Sequence, residues 1–547
     1  MGKNIVRYVV LAGLVASVAG AQDWTSHGGN PMRNGRAQVS GPQNAQLLWS
    51  TSGDASIISW APFVSDGKVF AIRETGFPST SGPGDEMAAW DVATGTELWR
   101  ITVPYAGDPN EEWIAWIAGA RDGRVITSRS QNLGPAPLRA FDADSGTLLW
   151  TSALETEAFA YDGAVFAPNG DLIVADRQQV ARLDAATGMT VWASTRSCPV
   201  SGACGPALGN GAVYVDQAVP GGNAITRFDL ITGVEQYTGP TMPGFTDQNT
   251  PFVSDDGTRV YFARTQNNGA VDFLYAFEDD GTQLIELWQR PVRWTTSHEF
   301  GLAADGSIYA LLPGDEFVRL DPDDGSVLSS AGVLAPMGSP NASPKTAVGL
   351  DGTVYLSNGW ASSPATNGRV WAFSADLSQN YFTLMTDRPN QGGPVLAGCG
   401  ALVIADRNGV RAYGEPIGQL DALCTPLPNS TGAAGELSAT GSVVAGDSRL
   451  QLCATGLPAG EFAYFLTSQS TGSLPVGSGL LCLGTPQVRF RQDVLNTGSG
   501  GFAVFSPDFG ALPLGADFNA GTTWWFQLWH RDSGTSNFTE SLGVSFQ

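Results

Sequence analysis

The sequence predicts an all-β chain: an eight-bladed β-propeller closed by its own N-terminal strand, followed by a small antiparallel β-sandwich. Three observations predict it. A phrase of the form Ala-x-Asp-x-x-Thr-Gly-x-x-x-Trp returns at steps of 42 to 53 residues, the range of four-stranded propeller blades. An Asp-Gly or Asn-Gly pair inside an apolar, β-branched run precedes each copy, as in a tight hairpin. Glycine is abundant, at 68 of 547 residues, and 33 prolines add to the turns.

The phrase is clearest around "DVATGTELW" (91–99), where Ala89, Asp91, Gly95 and Trp99 carry it. It returns as "AFDADSGTLLW" (140–150), with Ala140, Asp142, Gly146 and Trp150, and as "RLDAATGMTVW" (182–192), with Asp184, Gly188 and Trp192. Looser copies are "RFDLITGVEQY" (227–237), "AFEDDGTQLIELW" (276–288), "RLDPDDGSVLS" (319–329) and "AFSADLSQNYF" (372–382). The preceding hairpins include "VSDGKVFAI" (64–72), "ARDGRVITS" (120–128) and "LGNGAVYVD" (208–216). Each unit is thus two hairpins, one blade. Within the phrase, Asp and Thr side chains hydrogen-bond turn amides and Gly takes the left-handed position. Ala leaves space in a crowded layer, and Trp buries a large area while seeking an acceptor for its N–H. Used once per blade, the Trp packs between neighbours; a motif repeated this often is architecture rather than a site.

An eighth unit, "GPVLAGCGALVIADRNGVRAYGEP" (393–416), lacks its final Trp strand. "NAQLLWSTSG" (44–53) supplies one, with Trp49 in the right setting, so residues 46–50 are expected to complete the last blade. Closing the circle removes exposed sheet edges.

The first 21 residues have the form of a cleavable signal peptide: Lys3 and Arg7, an apolar run from Tyr8 to Val18, then Ala19-Gly20-Ala21. The apolar run is too short to span a bilayer, and no later segment is a transmembrane candidate. The expected location is therefore secreted or periplasmic. The formal charge of −23 opposes binding to nucleic acid or anionic membranes. The basic residues are nearly all Arg, with Lys only at positions 3, 68 and 345.

Export makes disulfides plausible. Cys198 and Cys204 sit in one Pro/Gly loop, "CPVSGAC", and are expected to bridge. Cys399, Cys424, Cys453 and Cys482 allow three pairings; Cys453–Cys482 with Cys399–Cys424 is the expected one. Zinc fails on spacing, since there is no Cys-x-x-Cys pair and His27, His298 and His530 are scattered.

The recurring residues Ala89, Asp91, Gly95, Trp99 and their counterparts resemble the tryptophan-docking motif of the pyrroloquinoline-quinone-like (PQQ-like) β-propeller family, in the quinoprotein alcohol dehydrogenase-like superfamily. "DWTSHGGNPMRNGRA" (23–37) is similar to that family's opening segment, and the resemblance covers about residues 23–416. It implies a propeller without fixing an activity. The family contains both a non-catalytic outer-membrane assembly scaffold and PQQ-dependent alcohol or sugar dehydrogenases. For the dehydrogenases it implies an adjacent Cys-Cys pair, acidic and amide calcium ligands and a catalytic Asp. This chain has no Cys-Cys dipeptide, and none of its positions matches the calcium ligands or the catalytic Asp. The expectation is a scaffold or binding protein with no cofactor and no catalytic, cofactor-binding or metal-binding residue; a PQQ- and calcium-dependent dehydrogenase is the alternative.

Residues 22–415 are read as the propeller, 416–430 as a Pro/Gly/Ser/Thr linker and 431–547 as a sandwich-like domain of a kind found on exported bacterial proteins. In the last of these, "TTWWFQLWHRD" (522–532) is read as a central strand covered on both faces, against the alternative of an exposed aromatic platform. "SDDGT" (254–258) and "DPDDGS" (321–326) are read as turns rather than calcium loops. There is no P-loop and no Gly-x-Ser-x-Gly elbow. Insertions at 73–87, 103–116, 194–204 and 357–370 mix Trp, Tyr, Pro and acidic residues. Trp113 and Trp360 in them are the expected contact surface for an extracellular or envelope protein or glycan.

Overall fold

The structure is a computed structural model. It describes residues 24–51, 61–73, 85–104, 114–130, 135–157, 163–198, 205–244, 249–266, 271–295, 299–334, 337, 343–360, 368–386, 392–406, 409–418 and 420–547. The proposed signal peptide lies outside these residues.

The chain is all-β. Eight sheets follow one another among the described residues, each a four-stranded antiparallel meander, one of them with an added short strand, Met242–Pro243. The first is Phe63–Ser65, Lys68–Arg73, Glu86–Asp91 and Glu97–Thr102. The eighth takes three strands from late in the chain, Gly392–Ala397, Ala401–Asp406 and Gly409–Gly414. Its fourth is Gln46–Ser50, pairing Gln46 with Gly414 and Ser50 with Arg411. The N-terminal strand therefore completes the last sheet, where the sequence placed it.

Local chemistry explains the strand turns. Asp66-Gly67, Asp122-Gly123 and Asn210-Gly211 each have both φ angles positive, between 46° and 74°. That conformation matches the twist of a two-residue hairpin, which is why Asp or Asn precedes Gly there. In the recurring phrase, Asp91 Oδ1 accepts from the Thr94 amide at 2.8 Å and the Thr94 hydroxyl at 2.9 Å. Asp142, Asp184 and Asp229 repeat the arrangement with Ser145, Thr187 and Thr232. These turn hydrogen bonds, the Thr hydroxyl first, hold the Asp184 and Asp229 carboxyls below the ordinary range.

Each indole then meets the next sheet. Ala89 sits opposite Trp99 and Ala140 opposite Trp150, so a small side chain faces a large one. Trp49, Trp99, Trp150 and Trp192 donate from Nε1 to the carbonyls of Val92, Ala143, Ala185 and Leu230 at 2.8–3.2 Å. The same rings lie flat against Gly95, Gly146, Gly188 and Gly233. A Cβ added at Gly95 would stand 2.5 Å from Trp49, and one at Gly146 would stand 2.8 Å from Trp99. Trp49 thereby links the eighth sheet to the first. Where the fourth sheet has Tyr237 instead of Trp, its hydroxyl reaches Asp279 of the fifth.

Residues 24–43 line one end of the ring's centre. Trp24 pairs with Val64; Thr25 O accepts from Ala120 N, Pro31 O from Leu208 N, Met32 O from Val253 N, Asn34 O from Leu302 N and Gly35 O from Val348 N. Each of those partners lies in the first strand of a different sheet. A single short segment can touch six first strands only if they line a common axis, and since each partner lies two or three residues before its hairpin turn, the segment runs round one end of that axis.

After residue 416 the chain builds a second unit. One sheet contains Phe462–Ser468, Thr523–Asp532 and Thr535–Ser545; a smaller one contains Glu436–Thr440, Gln451–Thr455 and Ala503–Phe505. Their shared core holds Phe465, Phe490, Phe505, Phe526 and Phe546. The Thr523–Asp532 strand is central: Trp524, Phe526, Leu528 and His530 are buried on one face, and Trp525 and Trp529 are half-buried against Leu481, Leu483 and Phe538 on the other.

Two expectations are corrected. The disulfides join Cys399 to Cys453 and Cys424 to Cys482. The Gln451–Thr455 strand turns Cys453 toward the turn at Gly398–Gly400 of the eighth sheet rather than into its own unit, which puts Cys482 out of its reach. The stretch 416–430 is also not a free tether, since Asp421 and Ala422 pair with Gly543 and Leu542, and Pro416 bridges Thr440. The two units pack together. Phe502 covers Gly67 and Gly398, Ser499 Oγ donates to Asp66 Oδ2 at 2.5 Å, and Thr440 Oγ1 donates to Cys399 O at 2.9 Å.

Candidate functional site

The segment along the axis brings charge into the centre of the ring. His27 is 3% exposed, packs edge-on to Phe63 and places Nδ1 3.7 Å from Glu299 Oε1. Glu299 also pairs with the Lys345 ammonium, from the buried strand Ser343–Val348 of the seventh sheet. Arg33, on the same segment, donates from Nε to Pro206 O at 2.6 Å. Gly163, just ahead of the third sheet, has no room for a side chain because a Cβ there would meet His27 Cδ2 at 2.9 Å.

Electrostatics follow from burial and pairing. Burial lowers the His27 pKa, and Glu299 only partly offsets it, so the ring is neutral at pH 7. For Glu299 burial alone would raise the value, but Lys345 and His27 outweigh it and hold the carboxyl down at about 2. The cluster is therefore a neutral imidazole beside a tight ion pair. Ser26 Oγ, Ser343 Oγ and His27 Nε2 are buried without a hydrogen-bond partner among the described residues.

A calcium-bound quinone needs a different donor set. Calcium takes six to eight oxygen ligands, several of them carboxylate. Among the described residues Glu299 is the one carboxylate in this cluster, and it is paired with Lys345. Among the described residues no group of three or more His, Cys, Asp and Glu side chains is arranged to hold a metal ion. The residues described on the axis do not fit that group.

Trp113 lies outside the described residues, and for Trp360 only the backbone is described, paired with Ser343. Cys204 also lies outside them; Cys198 is buried, with Sγ 3.9 Å from Asp216 Oδ2. Sequence reading set His27 aside as scattered and did not single out Glu299, Lys345 or Arg33. No local signal singled out Lys345, since Lys68 also lies in a β strand of a chain that otherwise uses Arg almost throughout.

Residues 134–372 match a PQQ-like repeat family model described as outer membrane protein assembly factor BamB. No match to a curated protein reaches significance. Among solved structures the chain is similar to BamB from Moraxella catarrhalis, at 18% identity over 68% of this chain and 99% of that one, TM-score 0.47. It is similar to the Dos1 propeller, at 10% identity over 68% and 96%, TM-score 0.49. It is also similar to quinohemoprotein alcohol dehydrogenase ADHIIG from Pseudomonas putida HK5, at 13% identity over 72% and 75%, TM-score 0.43. No helix among the described residues is long and apolar enough to cross a membrane.

Proposed function

We propose that this chain, whose residues 134–372 belong to the PQQ-like β-propeller repeat family, is an exported, non-catalytic scaffold that binds a protein of the cell envelope. The observation that carries the reading is the pairing at the centre of the ring, where Glu299, the carboxylate beside the segment, is held by Lys345 and faces His27 rather than being left to a bound cation. The two disulfides agree with an oxidising compartment. The family model's description, an outer-membrane protein assembly factor, makes an envelope protein the first partner to seek.

Two experiments test this. Purified protein titrated with PQQ and calcium is expected to show neither stoichiometric binding nor dye reduction; either result would overturn the scaffold reading in favour of a quinoprotein dehydrogenase. Pull-down from an envelope fraction is expected to recover a partner with the wild type and to lose it with Trp113→Ala/Trp360→Ala. Equal recovery by both would move the contact surface elsewhere on the ring.

A further inference from the structure

We propose that one face of the second unit binds an acidic polysaccharide. Binding there stands apart from any partner held by the propeller. Sheet geometry builds the face. Tyr464 pairs with Trp529, and Leu466 pairs with Gln527 on one side and Arg489 on the other. Paired residues point to the same side of a sheet, and alternate residues along a strand share that side. Phe462, Tyr464, Trp529, Arg489 and Arg531 therefore lie on one face, turned away from the core that holds Phe465 and Phe526. A hairpin, Thr471–Val476 with Gly479–Leu483, covers the middle of this face. Cys482 N donates to Gln527 Oε1 at 2.9 Å, and Gln527 Nε2 donates to Leu480 O at 2.9 Å. The rest is open. Phe462 is 43% exposed, and the Arg531 guanidinium stands 5.9 Å over its ring. Tyr464 and Trp529 are half-buried, with ring centroids 4.8 Å apart.

The aromatic residues decide one half of the ligand. Elsewhere the chain pairs its indoles: Trp49, Trp99, Trp150, Trp192 and Trp524 each give the N–H to a backbone carbonyl. Trp529 Nε1 and the Tyr464 hydroxyl make no hydrogen bond among the described residues and stay open to solvent. Adjacent rings with open polar edges match the flat C–H side of a sugar ring and the hydroxyls at its rim.

Charge decides the other half. The chain carries a formal −23, yet no Asp or Glu occurs between Glu461 and Asp493. Strand alternation turns Glu461 and Asp532 to the opposite side, where Asp532 accepts from Ser430 N and Asn537 Nδ2 at 3.1 Å each. Arg449 of the same unit is paired with Glu415. Arg489 and Arg531 are exposed and have no carboxylate partner among the described residues. Distant carboxylates of the chain are screened beyond ~8 Å at physiological salt, so these two set the local field. They stand beside Leu466 and Phe462, four residues or ~13 Å apart along the strand, with Tyr464 and Trp529 between them. A guanidinium fits a carboxylate or sulfate with two parallel hydrogen bonds. A neutral sugar would leave both guanidiniums unused, and an acidic peptide would leave the flat rings without a matching surface. A sugar chain with anionic groups uses both.

Isothermal titration of the mature full chain tests the proposal. A galacturonate tetramer and a chondroitin sulfate tetramer are the acidic probes; maltotetraose and tetraglutamate are the controls. At least one acidic sugar is expected to bind saturably with Kd of about 0.1–1 mM, and both controls at least about tenfold more weakly. Binding should weaken as salt rises. Arg489→Gln, Arg531→Gln and Phe462→Ala change exposed side chains; each is expected to weaken that sugar about three- to tenfold while leaving the thermal midpoint in place. Absence of saturable binding by both acidic sugars up to about 10 mM would overturn the proposal. Equal binding of maltotetraose would overturn it by removing the role of charge, and equal binding of tetraglutamate by replacing the sugar with an acidic peptide. Wild-type affinity in all three variants would overturn it by placing the sugar elsewhere.

Discussion

A double-mutant cycle between Trp99 and Gly146 tests how one sheet is fastened to the next. Trp99 is 9% exposed, donates to Ala143 O at 2.9 Å and lies against Gly146, whose φ is +68°. Trp99→Ala empties a buried site and is expected to cost about 4 kcal/mol. Gly146→Ala combines two penalties. The left-handed backbone costs an L-residue roughly 1–2 kcal/mol. The new Cβ would also stand 2.8 Å from Trp99 Cε3, and overpacking of that kind costs roughly 1–3 kcal/mol. The single change should therefore cost about 3 kcal/mol. In the Trp99→Ala background the clash disappears and only the backbone penalty remains, so the double variant should lose about 5 kcal/mol rather than the additive 7, a coupling of about 2 kcal/mol. Urea titrations of the four proteins, compared by linear extrapolation, measure the cycle. Additivity within about 0.5 kcal/mol would refute the packing of Trp99 on Gly146.

Three further predictions follow from the same contacts. Deleting residues 22–50 removes both the segment along the axis and the strand that completes the eighth sheet; the product should aggregate or lack the cooperative thermal transition of the intact chain, and an unchanged melt would contradict the closure. Any protease cut between Gly414 and Glu436 should leave the two parts joined on a non-reducing gel and separate them only with reductant, because Cys399–Cys453 spans that region; separation without reductant would exclude the bridge. Stability should fall as pH drops from about 7 to 5, because unfolded His27 binds a proton near its ordinary value of 6.5 while the buried ring, with its lowered pKa, does not. Asp216, pushed by burial up to about 6, acts in the opposite sense between its ordinary 3.8 and 6, so the clean comparison is wild type against His27→Gln. The cost of that substitution should be larger at pH 8 than at pH 5, and an equal cost at both would rule out His27 as the titrating group.

Much of this molecule could be read from local sequence, because its repeating parts are local. Asp66-Gly67 and Asp122-Gly123 put two left-handed residues in their hairpins, Asp256-Gly257, Asp305-Gly306 and Asp351-Gly352 only the glycine, and both kinds are closed locally; Asp91, Thr94 and Gly95 close their turn within five residues. The period of the Trp phrase predicts repeated sheets, and a Trp strand with no blade of its own predicts that Gln46–Ser50 completes the last one. Other features depended on contacts between segments far apart in the chain. The partner of Cys453 is Cys399 because the second unit packs against the turns of the first and eighth sheets, and no spacing rule contains that docking. Residues 24–43 carry no periodic signal, since their strand-like bonds go to six different sheets in turn rather than to one neighbour. His27, Glu299 and Lys345 become a cluster only when the ring closes around that segment. Sequence alone determined the strands, the turns and the repeat, which are satisfied by neighbouring residues. The tertiary structure decided the axis and the disulfides, which depend on surfaces brought together from opposite ends of the chain.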